Sequence, residues 1–207
     1  TMDCKYTTSP PEIDGEIDAI WDNVKVHPLQ QREWWGSPTG LYSWFKMMWD
    51  DDNLYILNYV EDNTLVNGAS DPWENDNVEL FFDMGREKAN DGEGFDDNDY
   101  QIRYIWNDDT YTGSEGIDET WASSNGVSRA QTTLDNEEGY VMEWAIPWDA
   151  LAGITVFVPI GGSKFDFDAL VGDNTGSGRA YIISWNTTQD INYKNTSLYG
   201  TVTLSDE

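Results

Sequence analysis

Phe45-Lys46-Met47-Met48-Trp49, Asp50-Asp51-Asp52-Asn53, Leu54-Tyr55-Ile56-Leu57-Asn58-Tyr59-Val60: two aromatic-rich apolar runs flank four polar turn formers. Five and seven residues are strand lengths, and a loop of four suits an antiparallel hairpin, so this stretch predicts strand, acidic turn, strand. The same period of two recurs along the chain. In Val78-Glu79-Leu80-Phe81-Phe82-Asp83, Val78, Leu80 and Phe82 share one face and Glu79, Phe81 and Asp83 the other. Tyr100 to Trp106 alternates with Gln101 and Arg103 on one side, and Tyr140 to Ile146, Phe165 to Leu170, Tyr181 to Trp185 and Thr201 to Leu204 add further short strands. Segments rich in Gly, Asn and Asp separate them, such as 90–99 and 172–178. Helical signal is confined to single turns at Ala19-Ile20-Trp21-Asp22 and at Trp148-Asp149-Ala150-Leu151 after Pro147. The expected fold is all-β, an antiparallel jelly-roll-like β-sandwich with little helix, formed by residues 1–207 as a single domain.

Composition narrows the partners. Of 207 residues, 39 are acidic and 11 basic, giving a net charge of −28. Affinity for phosphate backbones or anionic lipid needs clustered Lys and Arg, so nucleic acid and membrane partners are excluded. Acidity favours a neutral ligand or bound divalent cations held by oxygen donors. The 11 Trp, 11 Tyr and 7 Phe exclude disorder, because acidic disordered chains are poor in aromatics. Trp21, Trp49, Trp144 and Trp185 lie in apolar periodic runs and are expected in the core, whereas Trp34, Trp35 and Trp44 receive no assignment. Cys4 is the only cysteine and His27 the only histidine, so a disulfide framework and multi-histidine metal sites are out of reach. No G-x-S-x-G elbow accompanies His27, which leaves no case for a serine triad. The longest apolar stretch, Ala150 to Ile160, is interrupted and short of a membrane span, and no leader is visible. The chain is expected to be a soluble mature domain.

Two stretches carry chemistry. Glu74-Asn75-Asp76-Asn77-Val78-Glu79 has the E-x-D-x-x-E spacing, which resembles the catalytic signature of family 16 glycoside hydrolases, where paired carboxylates lie about 5–5.5 Å apart. That signature sets apolar residues between its acids, where Asn75 and Asn77 stand here.

A second resemblance covers most of the chain. Ile13-Asp14-Gly15-Glu16-Ile17-Asp18-Ala19-Ile20-Trp21, then Asp71-Pro72-Trp73-Glu74-Asn75-Asp76-Asn77-Val78-Glu79, then Gly139 to Trp148, Ile182-Ile183-Ser184-Trp185 and Tyr199-Gly200-Thr201-Val202 are similar, in order, to family 9 of the carbohydrate-binding modules. The resemblance implies a calcium-containing β-sandwich, non-catalytic, secreted or at the cell surface, and attached to bacterial glycoside hydrolases such as xylanases. Such modules hold reducing ends of cellulose or xylan between two aromatic rings. Position by position it implies Trp73 as one ring and Tyr193, eight residues beyond Trp185, as the other, with Glu79 and Arg103 as polar contacts. Asp168 and Asp190 fall where the family carries amides and are expected to touch ligand as well. Sugars present C–H faces ringed by hydroxyls, which suits stacked aromatics beside bidentate donors and acceptors. Among the acid-rich turns, none matching an EF-hand, Asp62 with Asp76 is the favoured calcium pair and the Asp14-Gly15-Glu16 corner a second possibility. A monomer is expected. The alternatives are a hydrolase using Glu74 and Glu79, or a haem-binding sandwich with Met47, Met48 or His27 as axial ligand.

Overall fold

A computed structural model describes residues 1–32, 40–88, 94–153 and 156–206; Trp34 and Trp35 lie outside them. Strands β1 (Met2–Tyr6), β2 (His27–Pro28), β3 (Gln31–Arg32), β4 (Tyr42–Trp49), β5 (Asn53–Glu61), β6 (Asn77–Asp83), β7 (Asp99–Ile105), β8 (Thr112–Gly113), β9 (Ser128–Thr133), β10 (Gly139–Pro147), β11 (Lys164–Asn174), β12 (Arg179–Ser184) and β13 (Gly200–Ser205) form one hydrogen-bonded system. Its order is β8-β7-β6-β11-β13-β1-β4-β5-β10-β9, with β12 sharing the edge of β11 that also pairs β13. Pairings are antiparallel except that β1 runs parallel to both β13 and β4. Purely antiparallel order was expected, and β1 departs from it because Met2 and Cys4 fill a slot between two core strands that already run the same way.

The hairpin forms as expected, with Met47 opposite Ile56 and Trp49 opposite Leu54. Its turn is acidic for a reason. Asp50 Oδ1 accepts the amides of Asp52 at 2.9 Å and Asn53 at 2.7 Å, and Oδ2 accepts the Tyr55 hydroxyl at 2.7 Å.

The sheet curls into two layers. Phe45, Met47, Ile56, Met142 and Trp144 from β4, β5 and β10 meet Leu80, Phe82, Ile102, Tyr104 and Phe167 from β6, β7 and β11. Rings join the layers edge to face, Tyr104 with Trp144 at 5.3 Å and Phe45 with Phe167 at 5.5 Å between centroids. Trp21, Trp49 and Trp144 are buried as expected, and Trp185 packs against the core while partly exposed. Met47 and Met48 are 1% exposed, and His27 stacks on Phe45 at 5.2 Å with its pKa lowered to about 4 by burial. These three are packing residues, which removes the haem reading. Two expected turns are 3-10 helices, Ala19–Asn23 and Trp148–Leu151. One helix was not foreseen, α1 (Glu119–Ser124), started by Asp118, whose side chain accepts from the Trp121 amide at 2.9 Å.

Segment 13–24 covers part of the outer face of β4, β5 and β10, with Trp21 packed on Met48, Tyr55, Leu57 and Val141. Glu143, fully buried on β10, fastens it by accepting the Gly15 amide at 3.0 Å, the Asp14 amide at 3.3 Å and Trp21 Nε1 at 3.2 Å. Gly15, at φ +88, is required at that corner, since a Cβ would stand 2.6 Å from Thr132 Oγ1.

Burial pushes the Glu143 carboxyl up to about 7 despite these hydrogen bonds. The folded chain therefore holds the proton more tightly than the unfolded chain, where Glu titrates at about 4.3. That contribution is complete below about pH 4 and is lost as pH rises through about 7. The difference in Tm between wild type and Glu143→Gln should thus shrink from pH 5 to pH 8 in thermal melts, and a difference independent of pH would refute the assignment.

Candidate functional site

The outward faces of β8, β7, β6 and β11 carry two registered rows. Thr112, Arg103, Glu79 and Leu170 are successive neighbours in one, and Gln101, Phe81 and Asp168 in the next. Glu79, 2% exposed, lies directly opposite Arg103, 6% exposed. Glu79 Oε1 is 3.2 Å from Arg103 Nε, and Oε2 accepts from Arg103 Nη2 at 3.2 Å and from Gln101 Nε2. Arg103 Nη1 reaches Thr112 Oγ1 at 3.4 Å. A buried pair of this kind is weak evidence of stability, but losing one partner strands the other at a cost of about 3–5 kcal/mol.

This pair forms the polar floor of a cavity of about 550 Å³, beside apolar Phe81 and Leu170. Trp73 and Tyr193 both line it and both remain exposed, at 43% and 52%. Asp190 and Arg179 complete the rim, paired at 2.9 Å. The cavity thus carries two guanidinium groups against two carboxylates and is balanced in charge, inside a chain of −28. Arg179 was not foreseen, because it follows a glycine-rich turn where periodicity is silent; Gln101 had a signal, sharing Arg103's face.

Two buried side chains shape the walls. Asn75, 3% exposed, accepts the amides of Gly68 at 2.7 Å and Ala69 at 2.8 Å on Oδ1, and donates from Nδ2 to the Asp71 and Pro72 carbonyls at 3.3 Å. It pins the turn that presents Trp73. Asp168, expected to touch ligand, is instead fully buried under segment 185–192 and does not line the cavity. Its Oδ1 accepts the amides of Ala169, Trp185 and Asn186 at 2.9, 3.2 and 3.0 Å, and its Oδ2 accepts the Thr187 amide at 2.7 Å and Asn192 Nδ2 at 3.1 Å. Alternation places Asp168 on the correct face, but the loop folds over it. Burial pushes its pKa up to about 6 against these hydrogen bonds.

A second cluster lies apart from the cavity. Asp62, Asp76 and Asp173, exposed by 4% or less, bring carboxylate oxygens within 4.8 Å of one another. Asp62 Oδ2 and Asp173 Oδ1 are buried without a hydrogen-bond partner, as is the Tyr140 hydroxyl, whose pKa is raised by burial first and by the nearby charges of Asp76, Asp62 and Asp173 second. Burial raises all three carboxyls, Asp76 to about 7 and Asp173 to about 6. Desolvated carboxylates short of donors are a fit for a hard cation. Asp62 and Asp76 were expected there; Asp173 was not, because it closes β11 more than ninety residues away. Asp14 and Glu16 are exposed, and Asp14 Oδ1 accepts the Glu16 amide at 2.8 Å. That corner is a hydrogen-bonded turn serving Glu143 and belongs to no cluster of three acids among the described residues.

The family model described as carbohydrate family 9 binding domain-like matches residues 13–207. The chain belongs to that family. This family 9 module is 34% identical over 196 residues to endo-1,4-beta-xylanase A of Thermoanaerobacterium saccharolyticum and to exoglucanase XynX of Acetivibrio thermocellus. Each match covers 94% of the module but only 15% and 16% of those longer proteins. A family 9 carbohydrate-binding module from Caldicellulosiruptor kristjanssonii in complex with cellotriose superposes with a TM-score of 0.82 at 27% identity, covering 100% of this module and 94% of that chain. The same kind of module in complex with glucose gives 0.82 at 26%, covering 99% and 96%.

Asp168→Asn should keep the three bonds to Oδ1 and break the two to Oδ2. A loss of about 1–3 kcal/mol is expected, a Tm fall of about 2–4 °C per kcal/mol in a chain this size, with faster amide exchange at Thr187. Unchanged exchange there would contradict the anchoring role.

Proposed function

We propose that this family 9 module is a non-catalytic binder of plant cell-wall glycans of the xylan and cellulose type, holding the terminal, reducing-end sugar between Trp73 and Tyr193. One observation carries the reading: two exposed aromatic rings border a charge-balanced cavity whose floor is a buried ion pair. The rings suit the C–H faces of a pyranose, and Glu79 and Arg103 can each bond neighbouring hydroxyls. A neutral ligand fits a site with no excess charge. The related modules solved with glucose and with cellotriose support a site that accepts a single ring as well as a short chain.

The relatives are xylanases and an exoglucanase far longer than this chain, which supports a parent enzyme whose catalytic module acts on the glycan held here, outside the bacterial cell. The hydrolase reading lacks a matching observation. Glu79 is engaged by Arg103 and Gln101, and Glu74 does not line the cavity. Calcium at Asp62, Asp76 and Asp173 would hold β5, the start of β6 and the end of β11 together, with these carboxylates as ligands and no part in chemistry on the sugar.

Titration calorimetry with xylo- and cello-oligosaccharides should show affinity falling more than tenfold, about 1.4 kcal/mol, in Trp73→Ala and in Tyr193→Ala. Unchanged affinity in both would sink the clamp. Borohydride reduction of the oligosaccharide should weaken binding, and indifference to it would move recognition to internal or non-reducing positions. Chelator should lower Tm and added calcium restore it by mass action, with Asp173→Ala abolishing the response; a Tm indifferent to both would remove the metal.

A further inference from the structure

A cavity of about 610 Å³ lies apart from the clamp and shares no wall with it. Leu65 beyond the end of β5, Trp106 beyond β7 and Thr133 at the end of β9 line it, together with Leu134, Asp135 and Glu137 of the turn that leads into β10. Leu65 and Trp106 pack against the core and Leu134 against the outer-face cluster, and all three stay partly exposed. The walls are fixed before any ligand arrives, so filling them incurs little ordering cost. Trp106 donates its amide to the Asp76 carbonyl at 2.8 Å and its Nε1 to Thr133 Oγ1 at 3.1 Å, and its own carbonyl accepts Asn67 Nδ2 at 2.9 Å. The turn is closed by the Leu134 amide on the Gly139 carbonyl at 2.9 Å and by the Glu137 amide on the Leu134 carbonyl at 2.8 Å. Glu137 stands at φ +57, where a residue with a Cβ is costlier than glycine. A carboxylate is thus set on this turn against local backbone strain, which is common where a side chain serves a ligand.

The charge pattern is the reverse of the clamp's. There each carboxylate faces a guanidinium; here Asp135 and Glu137 have no hydrogen-bond or ion-pair partner among the described residues, and no basic side chain lines the cavity. Two unpaired carboxylates exclude anions. An indole and two leucines cannot supply the roughly six to eight oxygens that a hard cation takes, and a polyol would find acceptors without donors. An organic cation satisfies both halves of the lining, since its N–H groups can bond the carboxylates while its carbon skeleton covers the apolar wall, with cation–π attraction to the indole in addition. We propose that this cavity is a second binding site, independent of the sugar clamp, for an organic ammonium ion, with the nitrogen against Asp135 and Glu137 and the carbon skeleton against Trp106, Leu65 and Leu134. Its volume suits a small molecule. An amino sugar and a plain alkylamine share this chemistry, and the choice of probes separates them.

The test is NMR titration of the isotope-labelled protein, following the Trp106 indole N–H and the amides of 134–138, with n-butylammonium, the neutral analogue n-pentanol, and glucosamine. The ammonium probe should shift these signals to saturation and bind at least tenfold more tightly than n-pentanol. Asp135→Asn/Glu137→Gln should weaken it at least fivefold. Asp3→Asn/Glu12→Gln, which removes two carboxylates elsewhere, should change it less than twofold; all four positions are exposed, so both variants keep the fold. Equal weakening in the two variants would reduce the effect to general attraction by a chain of −28 and overturn the site. Equal binding of n-pentanol, or shifts that avoid these signals, would overturn it as well. Glucosamine shifting the same signals would assign the site to amino sugars, and glucosamine acting only around Trp73 and Tyr193 would assign it to plain amines. Because the two cavities share no residue, failure here leaves the clamp standing.

Discussion

A carboxylate or amide removed from water must be met by donors and acceptors of the protein, and this requirement organises the molecule. The interior holds Glu79, Asp168, Asn75 and Glu143, and together they perform three structural tasks. Glu79 faces Arg103 and makes a floor; Asp168 and Asn75 collect backbone groups from irregular segments and turn them into walls. Glu143 closes the N-terminal segment over the outer face. Irregular backbone is otherwise hard to hold in place, because it lacks the ladder bonds that fix strands. Here a single buried side chain supplies several bonds at once. The Asp62, Asp76 and Asp173 group differs in that three buried acids are gathered with two carboxylate oxygens left without donors, the arrangement on which the calcium proposal rests.

Period-two alternation made most of the fold legible, because in a curled sheet each strand must present one face to the core. It correctly set Val78, Leu80 and Phe82 inward and put Glu79 on the cavity side. It could not show β1, where parallel pairing depends on strands more than forty residues away, nor α1, too short for a helical period although Asp118 marks its start. Resemblance singled out Trp73, from its Pro-Trp-Glu turn, and Tyr193, from its distance to Trp185, and the two do line one cavity. The placements of Asp168 beneath a loop, of Arg179 on the cavity rim and of Asp173 beside Asp62 and Asp76 escaped the sequence for one shared reason. Their roles are set by which loop or strand end lies over them, a fact of three dimensions that local spacing does not encode.

The strong acidity and the balanced cavity belong together. A surface of −28 keeps polyanions away, while inside the cavity Arg103 and Arg179 cancel Glu79 and Asp190 locally. Pairing also means that each charged group already has a geometry before ligand arrives, so hydroxyls meet oriented donors and acceptors without reorganisation. The aromatic walls, by contrast, are only half covered, which leaves apolar ring surface open to whatever enters the cavity.

The parallel placement of β1 has a kinetic consequence. Residues 2–6 sit between β13 and β4, so β1 finds one of its two partners at the far end of the module, Met2 standing opposite Val202. Closing a loop of that length is slow, and sheets dominated by such distant pairings fold late. Until β13 is in place, the edges of β1 and of β11 that face it lie open. The sandwich seals only when β13 docks, and until then those two edges are exposed to misassembly.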